Sequence, residues 1–421
     1  MPSSTARRMR HETAPNSAPA ARIVAIDPLS VLIAVPTLDA GAADAGALEL
    51  IRILATAGHK PIVVARGGRL VADVAASGGE FIALDMASNN PFLMLRNAIA
   101  LTRLVRKRGC RVLHAHGRAA AWSAYLAARI TGVPLLTSWY KGFREQNVFK
   151  RLYNSVMVRG DRVIAVSEQL AELINDRYRT PWERIAVVPG SIDLERFDPA
   201  AVSRERIAEV RCGWGVNADS KVILVVGRML RRKGHHVAIR AVHRLKEMGL
   251  KDFLCVFVGE DHGRTHYTGE LWDLALATNT VDVIRTSAGT DDLPAAYAAA
   301  SIVVSAAVQP EGMQRAILEA QAMARPVVVS DLGAGPEVVL APPAVPEDRM
   351  TGLRFAADDD AALAAALLRL FSMPETARRA IGARGRDWVL NHFNAPAVAE
   401  QTLKLYAEVV NSQAARRDKV S

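Results

Sequence analysis

Short runs of consecutive apolar residues, many of them β-branched, recur along the chain. Between most of them lie longer stretches whose apolar positions fall at helical spacing. The runs predict a first set of strands at 31–36, 61–65, 81–84, 112–115, 135–138, 163–166 and 185–189. A second set is predicted at 222–226, 254–258, 281–285, 302–305, 326–330 and 352–355. Alternation of strand and helix in two successive sets is the signature of two parallel sheets, hence an α/β chain with two Rossmann-like halves. A polar stretch at 191–220, holding Asp198-Pro199 and Gly213-Trp214-Gly215, reads as the link between them. Helices are predicted at 374–391 and 395–410, the last packing back toward the first half. The expected division is 1–22 disordered, 23–200 and 201–393 as the two halves, and 394–421 as a returning helix with a frayed tail at 412–421. No repeat of 20 to 50 residues suggests a solenoid or a propeller.

Composition narrows the class. Half of the 421 residues are apolar and 5% are aromatic, as in parallel sheets covered by helices. No apolar run reaches the roughly 18 residues of a spanning helix, and no signal peptide is visible. Cys110, Cys212 and Cys255 are odd in number and scattered, so reduced thiols and a cytoplasmic location are expected. A net charge of +10 and a pI near 9.8 fit an acidic partner: a nucleotide, an anionic lipid or a nucleic acid.

The chemistry concentrates in Pro310-Glu311-Gly312-Met313-Gln314-Arg315-Ala316-Ile317-Leu318-Glu319. Pro310 and Gly312 keep Glu311 in the loop after a buried strand. Helical spacing from Met313 to Met323 puts Glu319 on the helix that follows. Six residues of helix rise separate the carboxylates by roughly 9 Å at 1.5 Å per residue. That is near the distance between the hexose and the ribose of a nucleotide sugar, and the free amides of the helix start suit a diphosphate between them. Spacing by itself carries nothing, since Glu400 and Glu408 are eight apart as well. Upstream, Gly227-Arg228 and Lys233-Gly234 close another buried strand with fixed cations, where a ligand crevice should open; otherwise they would join Arg231 and Arg232 in a solvated basic face.

Together with Asp292-Leu293-Pro294-Ala295-Ala296-Tyr297, Ala320-x-Ala322-Met323-x-x-Pro326-Val327 and Glu337, these elements resemble the retaining glycosyltransferases of family four, over about 31–393. The resemblance implies the GT-B fold, two Rossmann-like domains facing across a cleft, and a reaction needing neither metal nor other cofactor. It implies that Arg228 and Lys233 hold the donor diphosphate and stabilise its charge as the sugar leaves. It further implies that Glu319 bonds the ribose hydroxyls and Glu311 contacts the transferred hexose.

Departures from the family pattern are informative. The turn Asp39-Ala40-Gly41-Ala42-Ala43-Asp44 has Gly41 but Ala42 in place of a second glycine. In His114-Ala115-His116-Gly117, at least one histidine reads as structural. Tyr140 stands where the family has a histidine near the reacting sugar, and Met313-Gln314 replaces Phe-Gly. Pro189-Gly190-Ser191 lacks the customary Arg or Asn. Gly41, Tyr140, Gly312, Met313 and Gln314 are therefore candidate donor-binding positions, with Arg228, Lys233 and Glu311 as the catalytic set. A relative that binds without catalysing, and a non-hydrolysing nucleotide-sugar epimerase of the same fold, are the competing readings.

Other patterns count for less. Gly333-Ala334-Gly335 imitates a dinucleotide fingerprint but lacks its third glycine. Glu260-Asp261-His262 with His266 offers zinc ligands without completing a set. The basic groups lack an aromatic platform, against nucleic-acid binding. Two segments, 92–108 and 149–159, are basic and amphipathic, so an anionic membrane surface is a candidate partner, although either could simply cover its sheet. The reading is a retaining hexosyltransferase that uses a nucleotide diphosphate sugar and a glycan or lipid-linked acceptor. Its expected setting is lipopolysaccharide or exopolysaccharide assembly at the inner face of the cytoplasmic membrane.

Overall fold

The computed structural model describes residues 27–39, 41–143, 147–217, 220–261, 263, 265–287 and 292–418. Met1 to Arg22, expected to be disordered, lies outside these residues. Among the described residues, thirteen strands form two sheets in which every pairing is parallel. In the first sheet β1 (Ser30–Ala34), β2 (Lys60–Ala65), β3 (Glu80–Ala83), β4 (Cys110–His116), β5 (Leu135–Trp139), β6 (Arg162–Ala165) and β7 (Ile185–Val187) lie in the order 3-2-1-4-5-6-7. In the second, β8 (Lys221–Val226), β9 (Phe253–Val258), β10 (Ile284–Ser287), β11 (Ile302–Ser305), β12 (Val327–Ser330) and β13 (Gly352–Phe355) lie in the order 10-9-8-11-12-13.

Strand geometry explains the uninterrupted apolar runs. Successive side chains point to opposite faces, and both faces of a parallel sheet are covered. Ile223 and Val225 accordingly join the core beneath helices His235–Glu247, Thr265–Ala277 and Asp360–Ser372. Val222 and Leu224 join the opposite core, beneath Leu293–Ala299, Arg315–Ala322 and Glu375–His392. The first sheet divides likewise: Leu32 and Ala34 lie on one side, Val31 and Ile33 on the other.

Several expected boundaries move. The strand expected at 281–285 starts at Ile284, because the amides of Val283 and Ile284 close a turn onto the carbonyl of Thr280. The link at 191–220 contains helix Arg204–Gly213, whose Arg206 grips Asp292 with two hydrogen bonds of 2.8 and 2.6 Å. The tail expected to fray from 412 continues the last helix, Ala395–Asp418, and Gln413 donates to the carbonyl of Gly132. Residues 419–421 of that tail lie outside the described residues.

The last helix returns to the first sheet. Leu403, Leu405, Tyr406, Val409 and Val410 pack with Leu29, Val31 and Ile33. Tyr406 Oη lies 2.7 Å from His114 Nδ1, and His114 Nε2 lies 2.8 Å from Ser138 Oγ. Both ring nitrogens of His114 are thus used inside the fold, which makes it a structural histidine.

Burial holds three histidines neutral. His114 is pushed well below its ordinary value, and His116 and His235 to about 4, in each case mainly by desolvation. Between about 6.5 and 4 the unfolded chain binds protons at these positions and the folded chain does not. Their contribution to stability is therefore complete above pH 6.5 and lost as the pH falls toward 4. Titration of the imidazole resonances by NMR should give midpoints near 4 for His116 and His235; midpoints near 6.5 would contradict their burial.

Candidate active site

In an open parallel sheet, neighbouring strands whose connections leave in opposite directions open a crevice at their carboxyl ends. In the second sheet that place lies between β8 and β11, paired in register through Ile223 with Ile302 and Val225 with Val304. The loops from these two strand ends carry the motif residues.

After β8, Gly227 has φ +149, a backbone geometry that glycine adopts freely. Arg228 follows, exposed and without an ion-pair partner among the described residues. A short turn, Arg231–Lys233, then leads to Gly234. A Cβ on Gly234 would fall 1.7 Å from the carbonyl oxygen of Ala306, in the loop after β11. The amide of Val308 donates to the carbonyl of Arg232 at 3.0 Å. The two loops are stitched backbone to backbone before any side chain is considered.

Their side chains then meet at Glu311, which is 8% exposed. Arg232 Nη1 lies 2.6 Å from Glu311 Oε1, and Lys233 Nζ lies 2.8 Å from the same carboxylate. This differs from the expected pair of available cations. Lys233 is engaged, Arg228 stands apart from Glu311, and Arg232, which had no role in the sequence reading beyond the alternative of a solvated face, completes the cluster. Arg231 turns away to pair with Glu270. Lys141 lies near by, its ammonium pushed below the usual value first by burial and then by Arg118, Arg232 and Arg228. Positive charge thus exceeds what Glu311 neutralises.

The helix expected at 313–323 runs from Arg315 to Ala322. Glu319 is buried on it, held by Tyr297 Oη at 2.9 Å and by Arg315 Nε at 2.9 Å. Burial raises its carboxyl above the ordinary range, against the pull of Arg315 and Tyr297. Arg315 was missed by the sequence reading, although its i, i+4 spacing to Glu319 was available as a signal. Gln314 is buried; its Oε1 accepts from Ser305 Oγ at 2.9 Å, and its Nε2 has no partner among the described residues.

The other candidates lie where the two sheets face each other. Gly312 abuts the first half: a Cβ there would be 2.4 Å from the carbonyl oxygen of Tyr140. Met313 packs against the cores of both halves. The Tyr140 ring turns the other way, over helix Ala42–Thr56, where a Cβ on Gly46 would be 2.3 Å from it. Tyr140 Oη lies 3.0 Å from His116 Nδ1, which also faces the carbonyl of Ala43 at 3.3 Å. A carbonyl can only accept, so Nδ1 carries the proton and the phenol oxygen accepts from it as well. Burial raises the Tyr140 hydroxyl far above its usual value.

Gly41 caps helix Ala42–Thr56 with φ −93, an ordinary extended geometry. Its amide, with that of Asp39, is taken by the Asp44 carboxylate at 2.9 and 3.1 Å. The dinucleotide imitation supports the site by contact: Gly333 has φ +60, and a Cβ there would be 2.6 Å from both the amide and the carbonyl of Glu311. Of the zinc pattern, His262 lies outside the described residues and His266 pairs with Glu270 at 3.1 Å.

Residues 44–196 match the family model described as Glycosyltransferase Family 4, and residues 220–373 the model described as Glycosyl transferases group 1. A D-inositol 3-phosphate glycosyltransferase of Salinispora tropica is 31% identical over 61% of this chain and 52% of its own length. That of Actinosynnema mirum is 30% identical over 66% of this chain and 69% of its own. The chain spans about half the length of the first of these curated relatives. A glycosyltransferase from Rickettsia africae ESF-5 superposes with a TM-score of 0.81 at 26% identity, over 91% of this chain and 99% of that one. Anabaena Alr3699/HepE, solved in complex with UDP, superposes with a TM-score of 0.78 at 18% identity, over 90% and 100%. At that identity the likeness speaks for the fold alone, and the fold is GT-B.

Three glycines make a paired test of these contacts. Gly312→Ala and Gly333→Ala each drive a methyl group into backbone and should destabilise by about 1–3 kcal/mol, the usual cost of overpacking. Gly269→Ala, inside helix Thr265–Ala277 with nothing near its Cβ, should stabilise by roughly 0.5–1 kcal/mol. Thermal melts of the three variants check both signs.

Proposed function

Because the chain belongs to glycosyltransferase family 4, we propose that it moves a hexose from a nucleotide diphosphate sugar, with retention and without a metal ion, to a glycan or lipid-linked acceptor. The observation that carries this reading is the convergence of the two strand-end loops at the β8–β11 crevice. It joins a buried Glu311 to Arg232 and Lys233 and sets Arg228 and Lys141 beside them.

Charge decides the chemistry. A departing nucleoside diphosphate gains negative charge as the glycosidic bond breaks, and preorganised cations in a partly dry cleft stabilise that moment most. Arg228 offers a forked donor and Lys233 a point charge, in the role that a divalent ion fills elsewhere. Glu319, fixed by Tyr297 and Arg315, presents acceptor oxygens to the ribose hydroxyls. Glu311 serves the hexose, beside Gly312, Met313 and Gln314. In a retaining reaction of this kind the leaving phosphate can take the acceptor proton, so no strong protein base is required. The Tyr140 phenol, held neutral by burial, suits packing and hydrogen bonding rather than proton transfer.

An exposed apolar surface supports the acceptor side of this reading. Phe92, Leu95 and Ile99 on helix Pro91–Arg108 stand out from the first half, as do Val148, Phe149 and Leu152 on helix Val148–Asn154. Tyr153 Oη donates to Asn89 Oδ1 at 2.6 Å and ties the second helix to the loop that leads into the first. Arg96, Arg103, Lys150 and Arg151 belong to the same two helices. Apolar side chains set among cations fit an anionic lipid surface. No helix among the described residues is long and apolar enough to cross a membrane, so the contact proposed is peripheral. A lipid-linked acceptor of envelope lipopolysaccharide or exopolysaccharide synthesis is favoured on this ground over a small phosphorylated cyclitol, which the names of the curated relatives suggest. Offering both acceptors to the enzyme would decide between them.

Transfer from a panel of nucleotide sugars tests the whole reading, and activity with none would end it. Arg228→Ala should lower the transfer rate about 10²–10³-fold, the scale for one lost transition-state donor. Glu319→Gln should weaken nucleotide and nucleotide sugar alike, whereas Glu400→Gln should leave both unchanged. Exhaustive dialysis against EDTA should not reduce transfer. Changing Phe92 and Phe149 together to Asp should abolish co-sedimentation with anionic vesicles without altering the melting temperature.

A further inference from the structure

We propose that Glu311 stands in for the donor's diphosphate in the free protein: its carboxylate occupies Arg232 and Lys233, and an arriving nucleoside diphosphate takes both cations and releases Glu311 toward the hexose. The inference rests on the donor reading above and adds to it a second diphosphate cation, Arg232, and an exchange of anions.

The geometry has three parts. First, the carboxylate bridges two separate cations at 2.6 and 2.8 Å, a spacing that phosphate oxygens reproduce. Second, the cations are fixed from below while Glu311 has a side chain to turn. The Arg232 carbonyl is bonded by the Val308 amide, and Gly234 is wedged against Ala306. The backbone of Glu311 is equally fixed, its carbonyl accepting from Ala334 at 3.1 Å, so rotation about its side-chain bonds suffices. Third, one carboxylate under-compensates the site. Arg228 is exposed beside the cluster, and Lys141 feels Arg118, Arg232 and Arg228 together. A diphosphate carries more negative charge than a carboxylate and can reach more of these groups at once. The exchange is therefore downhill for a diphosphate and weak for a single phosphate.

The exchange would order the reaction. While the cleft is empty Glu311 is tied back. With donor present it is free to accept a hydroxyl of the hexose. After transfer its return to Arg232 and Lys233 competes with the product nucleoside diphosphate and favours release.

Isothermal titration with UDP, GDP and ADP, and with the matching monophosphates, tests this on the full chain. The base bound by the wild type is then used for Glu311→Gln, Arg232→Gln and the double variant. Glu311→Gln should bind the diphosphate at least about tenfold more tightly, equal to about 1.4 kcal/mol, and the monophosphate with little change. Arg232→Gln should weaken the diphosphate, and by a larger factor in the Glu311→Gln background, because there the cation is no longer shared. Glu311→Asp, which withdraws the carboxylate by one methylene, is the second variant should the amide fail to fold, and it too should tighten binding. Diphosphate affinity that is unchanged or weaker in a folded Glu311 variant overturns the proposal. A wild type that binds no nucleoside diphosphate overturns the donor reading itself.

Discussion

An ionised carboxylate taken out of water costs several kcal/mol unless charge and hydrogen bonds meet it. Glu311 is in that position, and much of the surrounding backbone can be understood as the means of meeting it. Arg232 and Lys233 reach the carboxylate because the turn before Gly234 brings them there. That turn holds its place because Gly234 has no side chain to strike Ala306. On the far side, Gly333 lets the chain after β12 press against the backbone of Glu311, and the Ala334 amide bonds its carbonyl. Three segments distant in sequence are thus fixed around one acidic group. Glu319 follows the same physics with a different outcome: Tyr297 and Arg315 hold it, yet burial still raises its carboxyl above the ordinary range.

The halves of the molecule also meet through groups that lack alternatives. Gly312 lies against the backbone of Tyr140, and Met313 joins both cores. Glu337, on the short helix Gly335–Val338, accepts the amides of Glu168 and Gln169 at 2.8 Å each. Those amides open helix Glu168–Tyr178 and have no partner within it. On the first-half side, Glu49 accepts the amide of Ser191, at the start of the link, at 2.7 Å. A helix start in one half is therefore satisfied by a carboxylate from the other, which ties the facing surfaces in register near the site.

The succession of strands along the chain, their burial on both faces and the loops bearing Arg228, Lys233 and Glu311 were legible because each rests on local pattern. Short, β-branched apolar runs that alternate with helical segments read as strands covered on both faces, and glycine or proline beside a charge marks a strand end. Arg232 was not legible. In sequence it is one of three adjacent cations, and only the turn geometry sends Arg231 to Glu270 and Arg232 to Glu311. The course of the Tyr140 ring toward helix Ala42–Thr56 was hidden for a related reason. It depends on the space left by Gly46, whose neighbour in the fold lies far away in the chain. The continuation of the last helix to Asp418 was not legible because its polar residues lack a strong apolar face, and the bond from Gln413 to Gly132 joins segments far apart in sequence.

The return of the last helix to the first sheet has a consequence for biosynthesis. Leu403, Tyr406 and Val410 complete a core that opens with Leu29 and Val31, and Tyr406 Oη meets one nitrogen of His114. A ribosome adding about 5–20 residues each second finishes the first sheet long before those residues emerge. For roughly 10–40 seconds at that rate, the part of that face of the earliest sheet which helix Ala42–Thr56 leaves uncovered stays open to water and to other nascent chains. The half made first is thus sealed last, and its solubility in the interval depends on whatever covers that face on the way out of the ribosome.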